Sequence, residues 1–98
     1  MKIKIYQITR DKRHLMYARY ERAVKEGGVD PGEYELVWEG DVEANDLEDV
    51  YVIFNRYDLM PDGYSGRSLS VSDVIVTEKG AFFCDAYGFV QIEGFEEG

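Results

Sequence analysis

VIVTEKGAFFCDAYGFVQI, residues 74–92, decides the fold because two turn sequences divide it into three apolar runs. Residues 78–80, Glu-Lys-Gly, are typical of a three-residue hairpin loop whose glycine takes the left-handed position. Residues 85–88 place aspartate first and glycine last, as a type I turn prefers. We therefore expect an antiparallel three-stranded meander with strands at residues 74–77, 81–84 and 89–92.

The polar segment that leads into this meander, residues 66–73 or GRSLSVSD, is called the serine motif below. Ser70 and Asp73 are spaced as the two side chains of a capping box, whose oxygens accept hydrogen bonds from main-chain amides. We expect a single helical turn here and a structural role for the polar and glycine residues of the region. These residues are Gly66, Ser70, Ser72, Asp73, Asp85 and Gly88.

Residues 55–67 form the longest irregular stretch, with a Pro-Asp-Gly turn in its middle. Its apolar and cationic side chains suit a partner's groove, and the alternative is that two or three of them fold back over the sheet. The candidate contacts for a partner or an anion are Tyr57, Leu59, Met60, Tyr64, Arg67 and Ser68.

The first thirty residues predict a strand followed by a basic helix. Strand residues 2–8 alternate regularly at first, and the phase shift at Tyr6 and Ile8 indicates either a bulge or a strand covered on both faces. A helix over about residues 12–26 would be capped by Thr9 or Asp11 and would end at two glycines. Its apolar stripe consists of Met16, Tyr20, Ala23 and Val24.

The next segment predicts a second strand and a second helix. Residues 34–39 alternate so that Tyr34, Leu36 and Trp38 would face one way, with Trp38 in the core. A helix over residues 46–57 follows, introduced by Asn45 and Glu48 as a capping box. The whole order predicts a single α+β domain, residues 1–98, with two helices packed on one face of a mainly antiparallel sheet of about five strands.

The charges are divided unevenly along the chain. The net charge is −9, which argues against direct binding to nucleic acid. Residues 1–28 hold eight Lys or Arg against three Asp or Glu, while residues 29–98 hold three against seventeen. The basic third either packs beside the acidic segments or forms a patch for an anionic partner, and the acidic remainder is either solubilising surface or a face that imitates nucleic-acid phosphates.

The residue inventory disfavours most enzyme chemistries. Cys84 and His14 are single examples of their types, so we expect no disulfide, no cysteine-based metal cluster and no catalytic pair. The carboxylates lack the spacing of a calcium loop, and we expect no metal or cofactor. No stretch approaches the roughly 20 apolar residues of a membrane span, and we expect a cytoplasmic protein.

Several short motifs resemble the YodL-like domain family. They are residues 66–75, Phe83-Cys-Asp85, Gly88-Phe89, the 47–51 helix with Phe54-Asn55, and Ile5-Tyr-Gln7, so the resemblance covers nearly the whole chain. It implies a small bacterial domain that occurs alone or inside large proteins of plasmids and conjugative elements. No catalytic activity is assigned to the family as a class, so no functional residue carries over.

We therefore expect a non-catalytic protein-interaction module that binds an unidentified protein through residues 57–67 and the serine motif. An acidic decoy of the antirestriction kind, which binds a basic protein, is the alternative. A small enzyme or an anion-binding domain that uses Gly66 to Asp73 comes third, because Ser65-Gly-Arg-Ser68 offers amides, hydroxyls and a guanidinium.

Overall fold

Five antiparallel strands form one open sheet in the computed structural model, which describes residues 1–95. The strands lie side by side in the order β2, β1, β3, β4, β5. The α+β class, the strand number and the closing meander are confirmed. The strand bounds are β1 Lys2–Ile8, β2 Tyr34–Asp41, β3 Val74–Thr77, β4 Gly80–Cys84 and β5 Phe89–Ile92.

The predicted first helix is broken in two. A 3₁₀ helix spans Arg10–Leu15, four non-helical residues follow, and α1 spans only Tyr20–Lys25. A further 3₁₀ turn, Pro31–Glu33, leads into β2. The break occurs because main-chain amides at positions 17 and 20 donate to side chains elsewhere in the chain and not to the preceding turn. Within residues 1–95, no helix has the length and apolar character to cross a membrane.

The second helix, α2, spans Leu47–Ile53 and is shorter than predicted. Its cap lies one residue later than expected, because the Asp46 carboxylate accepts from the Asp49 amide at 2.9 Å while Asp49 accepts from the Asn45 amide at 2.9 Å. The Asn55 side chain donates to a carbonyl at the helix end and to the Leu69 carbonyl, which ends the helix before Tyr57.

The two helices lie on opposite faces of the sheet, whereas the sequence placed both on one face. Val50 of α2 and Phe54, which follows it, pack in one core cluster with Ile75, while Tyr20 and Ala23 of α1 pack against the cluster around Val74. Adjacent residues of β3 point to opposite faces, and all four of them are buried. A strand that is apolar on both faces requires a cover on each side, which explains this arrangement.

A bulge in the pairing of β1 with β2 makes the side chains of β2 point to different faces of the sheet from those predicted. Ile5 pairs with Trp38 and Tyr6 pairs with Leu36, so Val37 is an extra residue. The bulge turns Trp38 towards α2 and leaves Leu36 46 % exposed. Tyr6 also packs on the α1 side of the sheet. The bulge and the cover on both faces, the two explanations given for the phase shift at Tyr6, are therefore both present.

Tyr34, two positions before Leu36, lies on the α1 face of the sheet. Its ring and the ring of Tyr6 both meet Phe95 edge to face, with centroids 5.2 and 5.3 Å apart. Phe95 is buried and closes the cluster from beyond β5. The three residues predicted to share a face of β2 are therefore divided between two faces.

The first of the two turns of the meander is shorter than predicted. Thr77 pairs with Gly80, so the first hairpin loop has two residues and Gly80 begins β4 with a φ of +129°. Residues 85–88 connect Cys84 to Phe89, as predicted, and the Asp85 amide donates to the carbonyl of Gly88 at 3.0 Å.

Candidate functional site

The serine motif ends in a β-turn and a β-bulge, so the prediction of a helical turn is wrong. The Asp73 amide donates to the Ser70 carbonyl at 3.2 Å, which closes the turn. The Ser72 amide donates to the Cys84 carbonyl at 2.9 Å, and the Cys84 amide donates to the Asp73 carbonyl at 2.8 Å. Ser72 and Asp73 thus lie opposite the single residue Cys84, which is the pattern of a β-bulge. Pairing with β4 therefore begins before the regular part of β3.

Ser72 occupies a position of this turn and bulge that normally holds glycine. Its φ is +86°, and its side chain is buried. The hydroxyl oxygen accepts from the Tyr17 amide at 3.0 Å, and the carbonyl accepts from the Tyr34 hydroxyl at 2.6 Å. Burial raises the pKa of Tyr34, which keeps this donor protonated. Ser72 therefore joins the serine motif to the break before α1.

Asp85 fixes the C-terminal end of the non-helical segment before α1. One carboxylate oxygen accepts from the Tyr20 amide at 3.0 Å and from the Ala86 amide at 2.8 Å. Tyr20 is the first residue of α1, so a side chain from the β4–β5 turn supplies an acceptor that no neighbouring side chain provides. Ser72 and Asp85 together fix the non-helical residues 16–19.

Asp73 is a buried carboxyl group. Its Oδ2 accepts from the Ser70 amide at 2.9 Å and from the Gln7 side chain at 3.0 Å. Burial raises the pKa of Asp73 to about 7, although the hydrogen bonds from Ser70 and Gln7 and the charge of Arg67 oppose the rise. The group therefore changes charge near neutral pH.

Gln7 connects this carboxyl group to the long loop. Its Nε2 donates to the Arg67 carbonyl at 3.0 Å, and its Oε1 accepts from the Arg67 amide at 3.0 Å. The Tyr64 hydroxyl donates to the same carbonyl, and its ring lies 5.0 Å from that of Phe54. A methyl group at Gly66 would lie 2.7 Å from the Tyr64 oxygen, so only glycine fits there.

Gln7 was not among the predicted site residues, although its position in the sequence carries a signal. The residue is in phase with Ile3 and Ile5 on β1, and all three are buried. A polar residue at such a position needs buried partners. We call Gln7, Tyr64, Arg67, Ser70 and Asp73 the polar cluster; it ties the loop and the serine motif to β1.

The six candidate contact residues divide into two groups. Tyr57 is 98 % exposed, Leu59 is 43 % exposed, and Ser68 is also exposed. Met60 is partly buried, and Tyr64 belongs to the polar cluster. The Arg67 guanidinium donates to the Ile8 carbonyl at 3.3 Å and its amide is held by Gln7, which leaves fewer donors for an anion.

The two side chains considered as a catalytic pair lie in different surroundings. Cys84 is buried, and burial raises the pKa of its thiol, which opposes formation of a reactive thiolate. His14 is exposed in the 3₁₀ helix. Among residues 1–95, no group of three His, Cys, Asp or Glu side chains is arranged to hold a metal ion.

The described ion pairs are few, and none of them involves the cations of residues 10–22. In the described residues, the ion pairs join the N-terminal amine to Asp41, Lys25 to Glu21, and Arg56 to Asp58. No described ion pair connects a cation of residues 10–25 to a carboxylate beyond residue 28. The Asp85 carboxylate nevertheless lies against this segment, where it accepts from the Tyr20 amide.

Comparison with known proteins identifies a family. The model of a family described as YodL-like domain matches residues 2–95. No curated protein and no solved structure matches the chain. The residues that carried the resemblance in the sequence lie in β1, in α2 and just after it, in the serine motif and the start of β3, and around the β4–β5 turn.

Proposed function

Since the chain belongs to the YodL-like domain family, we propose that it is a non-catalytic protein-interaction module. One observation carries this proposal: the oxygens of Ser72, Asp73 and Asp85 accept main-chain hydrogen bonds, while Tyr57 presents almost its whole side chain to solvent. Oxygens that hold the chain in shape are poorly placed to attack or grip a substrate. Tyrosine, in contrast, is enriched among the residues that dominate protein interfaces.

The contact surface that we propose is Tyr57, Asp58 and Leu59, called the loop surface below. Arg56 holds Asp58 through two hydrogen bonds of 3.2 and 2.7 Å, and the Arg56 carbonyl accepts from the Leu59 and Met60 amides. The exposed side chains therefore project from a hydrogen-bonded turn. Ordering of the turn before binding reduces the conformational entropy lost in a complex.

Site-specific crosslinking tests the proposal. A photoreactive phenylalanine analogue replaces Tyr57 in cells of a bacterium that encodes a member of the family. Replacement of Leu36, an exposed residue on edge strand β2, is the control. A discrete adduct at position 57 that is absent at position 36 would support the loop surface. Equal crosslinking at both positions, or none at position 57, would contradict it.

Serine substitutions provide a matched second measurement. Leu59 and Leu36 are 43 % and 46 % exposed, so Leu59→Ser and Leu36→Ser remove similar exposed apolar surface. We expect the crosslink at position 57 to weaken in the first variant and to persist in the second. This comparison separates loss of a contact from general destabilisation.

A second candidate function is the acidic decoy, which binds a basic protein. It is supported by six exposed carboxylates along β2 and the entry to α2, at positions 35, 39, 41, 43, 46 and 48. A decoy complex would weaken steeply with added salt, whereas a complex on the loop surface would change little. We place either function in the cytoplasm, where a single buried thiol such as Cys84 stays reduced.

A further inference from the structure

A second cluster of exposed side chains surrounds the break before α1. Residues 10–25 contain six Lys or Arg and two carboxylates, Asp11 and Glu21. Arg13, Arg19 and Arg22 are exposed, and none of them pairs with a carboxylate in residues 1–95. The Arg22 guanidinium instead donates to the carbonyl of His14 at 3.2 Å. This part of the chain is therefore locally positive.

Two exposed tyrosines lie on the segments that meet at this break. Tyr17 is 61 % exposed, and Tyr87 is 88 % exposed. The Arg19 guanidinium carbon lies 5.9 Å from the centroid of the Tyr87 ring, which stacks a cation on an aromatic face. The hydrogen bond from the Tyr20 amide to Asp85 holds the two segments together. Cations and aromatic rings are thus adjacent on a fixed backbone.

The backbone at Tyr17 indicates that its side chain has a use outside the fold. Its φ is +65°, a region that glycine or asparagine occupies more readily. A strained residue in a core is retained for its packing, but most of the Tyr17 side chain is in water. Strain of this kind often marks a residue that is held ready for a contact.

We propose that Arg13, Tyr17, Arg19, Arg22 and Tyr87, the basic aromatic surface, bind an acidic segment of a partner protein. Arginine recognises carboxylates through paired hydrogen bonds, and arginine and tyrosine are the residue types that dominate protein interfaces. This surface shares no residue with the loop surface, so the inference stands apart from the proposed function.

The charge of the whole molecule favours a protein segment over a nucleic acid. Residues 29–98 hold seventeen carboxylates against three cations, and the molecule measures only 35 × 26 × 25 Å. A nucleic acid continues past the basic aromatic surface and would run along acidic surface within a few screening lengths of about 8 Å each. An acidic protein segment can place its carboxylates on the arginines alone.

Fluorescence anisotropy with a labelled peptide tests the inference. The probe contains aspartate, glutamate and interspersed phenylalanine, and labelled single-stranded oligothymidine is the competing probe. Arg19→Ala and Tyr87→Ala each remove one exposed contact. Lys79→Ala and Leu36→Ala are the controls, because they remove an exposed lysine and an exposed apolar side chain that belong to neither proposed surface.

We expect the wild-type protein to bind the peptide. Arg19→Ala and Tyr87→Ala should each raise the Kd on the order of tenfold, while the controls should change it by less than about twofold. The melting temperature should stay the same in all four variants. Absence of peptide binding, tighter binding of oligothymidine, or an equal loss in the controls would overturn the inference.

Discussion

Tyr17 and Ser72, the two non-glycine residues with positive φ in residues 1–95, are hydrogen bonded to each other. The Tyr17 amide donates to the Ser72 hydroxyl oxygen at 3.0 Å, with φ angles of +65° and +86°. Each strained residue lies 55 positions from the other in sequence, so neither conformation is dictated locally. The contact fixes the end of the first helical segment against the start of β3.

Two substitutions of Ser72 distinguish the energetic effect of its backbone strain from that of the hydrogen bond that its hydroxyl oxygen accepts. Ser72→Ala keeps the left-handed conformation and loses the acceptor, so we expect a loss of about 2 kcal/mol in the free energy of unfolding. Ser72→Gly loses the same acceptor but relieves the strain, so it should be less destabilised by about 1 kcal/mol. Urea unfolding measures both.

Ser68→Ala is the control for these variants, because Ser68 is an exposed serine of the same motif. Its free energy of unfolding should stay within about 0.5 kcal/mol of wild type. A glycine variant that is less stable than the alanine variant would show that the conformation of Ser72 is not strained.

Substitution of Asp85 tests its role at the start of α1. Asp85→Ala removes the acceptor of the Tyr20 and Ala86 amides and should destabilise the protein by about 1 kcal/mol. Asp85→Asn keeps an acceptor oxygen and should retain most of that stability. Denaturant melts monitored by circular dichroism provide the comparison, and equal losses in the two variants would argue for a purely electrostatic effect.

The buried carboxyl of Asp73 should make stability depend on pH. Burial raises its folded pKa from 3.8 to about 7, so the folded state binds the extra proton between these values. This contribution to stability is fully present below the unfolded pKa and is lost as the pH rises through about 7. From about pH 5 to about pH 8 the loss should be on the order of 2 kcal/mol.

The Asp73→Asn variant isolates this group from the other carboxylates. Asparagine is neutral at every pH and keeps an oxygen to accept from Ser70 and Gln7. We expect the stability of the variant relative to wild type to increase between about pH 5 and about pH 8. A difference that is constant across this range would exclude a raised pKa.

Gly66 and Tyr64 should be energetically coupled. Gly66→Ala places a methyl group 2.7 Å from the Tyr64 hydroxyl oxygen and should destabilise the protein by about 2 kcal/mol. Tyr64→Phe removes that oxygen and loses the bond to the Arg67 carbonyl. The double variant should therefore be more stable than the sum of the single losses predicts. Strictly additive losses would show that the Tyr64 hydroxyl oxygen does not interfere with the added methyl group.

Features that depend on neighbouring residues were predicted well. The apolar runs and turns of residues 74–92 determine three strands locally, and the meander forms where expected. The start of α2 was predicted to within one residue, because capping residues act over three or four positions. Its end was not, because Asn55 bonds the Leu69 carbonyl fourteen positions away.

Features that depend on distant partners could not be predicted from local patterns. The break before α1 requires Ser72 and Asp85, which lie 55 and 65 positions along the chain from their partners. The opposite placement of the helices follows from β3, where three consecutive apolar residues, 74–76, indicate cover on both faces; this signal was present in the sequence. The signal for Gln7 in the sequence was only that a polar residue stands at a position in line with the buried residues of β1.

The central claim is that the side-chain oxygens of Ser72, Asp73 and Asp85 hold the main chain in shape. Native-state hydrogen exchange at the Tyr17 and Tyr20 amides tests it most directly, because residue 17 lies outside any helix or strand and residue 20 is the first of α1. We predict that both amides are protected in the wild-type protein. The Tyr17 amide should lose protection in Ser72→Ala, and the Tyr20 amide should lose protection in Asp85→Ala. Exchange of both amides at the rate of an unstructured peptide in the wild-type protein would contradict the claim.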